Sequence, residues 1–180
     1  MVEAIGDAGG RGARMGLLAI SRLDDGSLAG HAEQWADSLS RIPVPKWVDR
    51  VGEAEVTRAV SISRPGDGEA LFIEIDQPGS GLHTLAAFIR DQLGGVASCL
   101  GLVLPFEELD FAEFERAGDH GRPAERAEVE PVRACHRLRA AITNTDRNFD
   151  VDVRGEYADH RALALTRAVV GELAEVRPRA

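Results

Sequence analysis

The sequence predicts an α+β fold, with a mixed or mainly antiparallel sheet of four or five strands and helices packed chiefly on one face. Three observations carry this. Residues 57–76 hold two extended runs on either side of the turn Arg64-Pro65-Gly66-Asp67-Gly68. Residues 80–104 read as an amphipathic helix and then an apolar strand, which makes 57–104 a β-β-α-β unit. Flanking stretches at 31–42, 131–142 and 157–176 place apolar residues at helical spacing.

Taken in order, residues 1–14 are Gly- and Ala-rich without a period and are expected to be disordered, leaving 15–180 as a single α+β domain. Leu17 to Ile20 is a short apolar run before Asp24-Asp25-Gly26-Ser27, a turn signal, and is expected to be a first strand. In 31–42, Ala32, Trp35, Ala36 and Leu39 fall at i, i+3, i+4 and i+7, an amphipathic helix stopped by Pro43 and Pro45. Trp35 and Trp47 are expected to pack together in a small satellite core.

The central hairpin follows. Ala59, Val60 and Ile62 suit a strand, and Leu71, Ile73 and Ile75 alternate with Phe72, Glu74 and Asp76. Period two puts the first three on one face and the others on the opposite face. A hairpin alone is marginal in water, so its apolar face requires a cover. Ser80 can cap a helix carrying Leu82, Leu85, Ala86, Ile89 and Leu93 on one stripe, with Gly94-Gly95 as its stop. Val96–Leu104 is apolar on both faces, which suits a central strand, and Pro105 closes it.

Beyond Pro105, Phe106, Leu109 and Phe114 share a helical stripe from which Phe111 is offset. Residues 118–130 are polar, charged and aperiodic, a mobile surface loop by expectation. Pro131 suits the first turn of a helix that buries Val132, Cys135, Leu138 and Ile142 and shows Arg133, Arg137 and Arg139. Residues 148–154, NFDVDVR, alternate as a half-exposed strand, and a long helix from about 157 ends before Pro178.

Composition narrows the function. A net charge of −9 argues against binding through phosphate neutralisation, and so against nucleic acid, and against anionic membrane surfaces. Two cysteines, Cys99 and Cys135, without CxxC spacing are no disulfide framework and fit a reducing compartment. No apolar run reaches transmembrane length and the first residues lack a signal-peptide core, so the expected location is cytoplasmic.

Candidate chemistry gathers at Glu74, Asp76, Ser80, Gly81 and His83. Two carboxylates and an imidazole can hold a divalent ion or act as acid and base, and a helix start after PGSG can bind an anion. PGSG has neither the lysine of a P-loop nor the GxGxxG spacing, so no cofactor is named. Glu156 and His160 lie i and i+4 without the second His of HExxH, and no GxSxG elbow occurs. The absence of a catalytic signature favours a non-catalytic protein-binding module, an adaptor, inhibitor or accessory subunit with an acidic surface, whose partner is another protein or a further copy of itself. Its expected contact residues are Phe106, Phe111, Phe114, Asp119, Glu125 and Glu128. A small enzyme using the carboxylate and histidine group is the alternative.

Overall fold

The structure, a computed structural model, describes residues 2–23, 27–64, 66–116, 124–148 and 155–174. It divides into two compact units. The first comprises the chain up to Ala54 together with Gln77–Gly81. Here α1 (Val2–Ala8), α2 (Gly10–Leu23), α3 (Ser27–Ser38) and a 3-10 segment, Lys46–Glu53, surround a core of Val2, Leu17, Leu18, Ala32, Ala36 and Val48. The helices overturn the strand expected over 17–20, and α1 and α2 also run through 2–14, a stretch without a legible period. Ala13, Leu17 and Ile20 already recur at helical spacing, but intervening glycines hide the period. Gly6 is a packing residue: a Cβ on it would lie 2.3 Å from the Trp35 ring, so its lack of a side chain lets α1 approach α3. The side chain of Trp47 lies outside the described residues, so the expected tryptophan pair is left at Trp35, which packs against this core.

The second unit holds a five-stranded antiparallel sheet in the order β4-β3-β2-β1-β5. Its strands are β1 (Glu55–Arg64), β2 (Gly68–Gln77), β3 (Gly81–Arg90), β4 (Val96–Val103) and β5 (Glu125–Val129). The expected hairpin is present: β1 pairs antiparallel with β2, with Ala59 opposite Ile73 and Ser61 opposite Leu71. β2 is the central strand, and Leu71, Phe72, Ile73 and Ile75 are all buried. Burial on both faces follows from cover on both sides. Against one face lie α5 (Pro131–Arg147) and α6 (Gly155–Ala174), packed on each other, on β4 and on β1. On the other, the turn Phe106–Glu108 and α4 (Phe111–Arg116) bring Phe106 and Phe111 onto Val60, Ile62, Phe72 and Ala86.

The helix expected at 80–93, and with it the β-β-α-β unit, is corrected. Residues 81–90 are β3, paired with β4 with Leu85 opposite Leu102 and Ala87 opposite Leu100. Only 91–93 turn, as a 3-10 segment closed by Gly94 at φ 79°. Leu82, Leu85, Ala86 and Ile89 fit a helical stripe, but Thr84 and Ala87, off that stripe, are also buried. Four consecutive buried residues suit a strand covered on both faces, and a ten-residue window cannot separate the two periods.

Two more strands differ from expectation. Among the described residues β4 lies at the edge, not the centre, because its apolar composition reflects helical cover on one face and not neighbours on both sides. The stretch 118–130 is not all loop: its end, Glu125–Val129, pairs with β1 from Ala59 to Ser63. This strand is mostly exposed, so no burial period marks it in the sequence. α5 begins as expected, with Pro131 in its first turn and the Glu130 carboxylate accepting from the amides of Val132 and Arg133 at 3.2 and 2.9 Å. α6 approaches α5 closely at Gly171, where a Cβ would lie 2.3 Å from the Cys135 sulfur. Of the strand expected at 148–154, Asn148 caps α5 and the rest lies outside the described residues.

Candidate functional site

The hairpin positions Glu74 and Asp76 two residues apart on β2, and therefore on one face, as period two requires. Their environments differ. Glu74 is buried and its carboxylate accepts from the Thr57 hydroxyl at 2.6 Å, a cross-strand bond that occupies it structurally. Asp76 is exposed, opposite Glu55. Ser80 caps no helix. Its amide donates to the Gln77 carbonyl at 2.8 Å and closes the turn from β2 to β3, which Gly81 opens at φ 81°. His83 lies on β3, half-buried. The helix N-terminus that would have bound an anion therefore does not exist, and among the described residues no three His, Cys, Asp or Glu side chains converge on a metal position.

The aromatic contact set also resolves into structure. Phe72 meets Phe111 edge to face with centroids 5.3 Å apart and Phe114 at 4.8 Å, and Phe106 meets Phe111 at 5.4 Å. Phe106 and Phe111 are buried, and Phe114 packs against the same cluster, so these rings hold α4 to the sheet. The Arg58 and Arg126 guanidinium groups sit over Phe106 and Phe111 at 5.1 and 4.3 Å. Glu125 and Glu128 are exposed on β5, with Glu128 3.8 Å from Arg58. Asp119 lies outside the described residues.

Sequence reasoning missed Glu69. It continues the Leu71, Ile73, Ile75 row by one more step of two, which is the signal that would have found it. Its side chain is buried against α5, where the Arg137 guanidinium lies 2.8 Å away. Burial pushes its carboxyl above the ordinary value of 4.5, Arg137 and a Ser61 hydrogen bond oppose this, and Asp91 adds to the rise. A raised folded pKa means that the native state holds this proton more tightly than the unfolded chain does. The contribution is most favourable below the ordinary carboxyl pKa and is lost as pH rises through the folded value. Glu69→Gln, which cannot ionise, should remove that decline. The stability of the variant relative to wild type should therefore rise between pH 4 and neutrality. Urea unfolding across that range checks it, and a variant that loses stability as pH rises would refute it.

A cavity of about 210 Å³ adjoins the same end of the sheet, lined by Asp67, Glu69, Phe88, Arg90, Ser98 and Cys99. It is smaller than the roughly 300–1,000 Å³ of small-molecule sites. The Glu69 carboxylate reaches Arg137 on α5, on the face opposite the Phe72 cluster. Phe88 is two residues from Ala86, which belongs to that cluster, and Cys99 shares the face of Phe88 as its cross-strand partner. Carboxylate and thiol thus project from opposite faces and form no nucleophile–base pair.

The remaining feature is an edge. β4 and Leu104 after it carry no charged residue, and Leu102 and Leu104, two apart on one face, are 47% and 56% exposed. The opposite edge, β5, has three charged residues in five, Glu125, Arg126 and Glu128, and charge of that kind blunts an edge. β4 has no such guard. Compared with protein-family models, curated proteins and solved structures, the chain matches none.

Proposed function

We propose that this chain is a non-catalytic protein-binding module that docks through the β4 edge. The observation that supports it most is the contrast between the charged β5 edge and an uncharged β4 with two exposed leucines. An edge strand presents a row of backbone donors and acceptors that an added strand can pair, while leucine side chains supply burial. An adaptor or accessory subunit with a net charge of −9 suits this reading, the charge keeping the rest of the surface from indiscriminate association. A cytoplasmic location belongs to the same proposal: neither Cys99 nor Cys135 is in a disulfide, and among the described residues no helix is long and apolar enough to cross a membrane.

The test is purification of the full chain from its own cells beside a Leu102→Lys/Leu104→Lys variant whose far-UV circular dichroism is unchanged. Wild type should hold a polypeptide, of another kind or a further copy of itself, in fixed stoichiometry, and the variant should lose it. Retention by the variant, or no bound polypeptide on wild type, overturns the reading.

A further inference from the structure

We draw no further inference here: the strongest candidate, the cavity of about 210 Å³ at the end of the sheet lined by Asp67, Glu69, Phe88, Arg90, Ser98 and Cys99, carries none, because its buried carboxylate, Glu69, is already engaged by Arg137 on α5 and the half-buried Cys99 thiol on the opposite face is by itself no site.

Discussion

Replacing Phe72 by Ala should cost about 3–5 kcal/mol of folding stability, a large part of the roughly 5–15 kcal/mol available to a domain. Phe72 is fully buried on the central strand. Its ring is a central contact between α4 and the sheet, edge to face with Phe111 and Phe114 and in one cluster with Phe106. Truncation removes the ring's transfer energy and leaves a cavity, and the cost of a cavity depends on whether its walls collapse. Here collapse is restrained. Arg64 donates to the carbonyls of Phe114 and Glu115 at 2.8 and 2.6 Å and pins the end of α4 to β1. The strands beneath are fixed by their pairing. Urea unfolding measures the loss. A double-mutant cycle with Phe111→Ala should show coupling of about 0.5–3 kcal/mol, because the rings share one cluster. A loss under 1 kcal/mol would mean that α4 is not seated on this face.

That cluster also shows where sequence reasoning works and where it stops. The hairpin was legible because two independent signals agreed, a turn rich in Gly and Pro and the alternation Ile73-Glu74-Ile75-Asp76 on β2. α5 was legible for the same reason, through Pro131 and an apolar stripe. β3 was not, because burial on both faces erases alternation and leaves an apolar run that a helix stripe also explains. β5 failed in the opposite direction: an exposed edge strand carries no apolar period. At the site level, residue type misled. Glu74 and the phenylalanines have the chemistry of a site, but a Thr57 hydroxyl and neighbouring rings satisfy them internally. Leu102 and Leu104 look like core residues. What marks them is position at a sheet edge, and strand order is not written in the period of any one segment.

Gly68→Ala should destabilise the fold by about 3 kcal/mol or more, the sum of backbone strain and a collision. Gly68 opens β2 at φ 124°, where a side chain is strained in any surroundings. A Cβ there would lie 2.2 Å from the Ile89 carbonyl oxygen and 3.2 Å from the Arg90 Cα, backbone atoms that no rotamer change can move. Gly81→Ala separates the two contributions. Gly81 has φ 81° but an added Cβ meets nothing within 4 Å, so it carries the strain alone, about 1–2 kcal/mol. Equal losses in the two variants, measured by urea unfolding, would show that β3 does not approach β2 as closely as described. Relief of the collision requires β3 to move away from Gly68, and β4 is paired to β3 from Thr84 to Arg90. Gly68→Ala should therefore weaken β4-mediated association at a distance, under conditions where the variant is still folded. Gly81→Ala, which leaves β3 in place, should not.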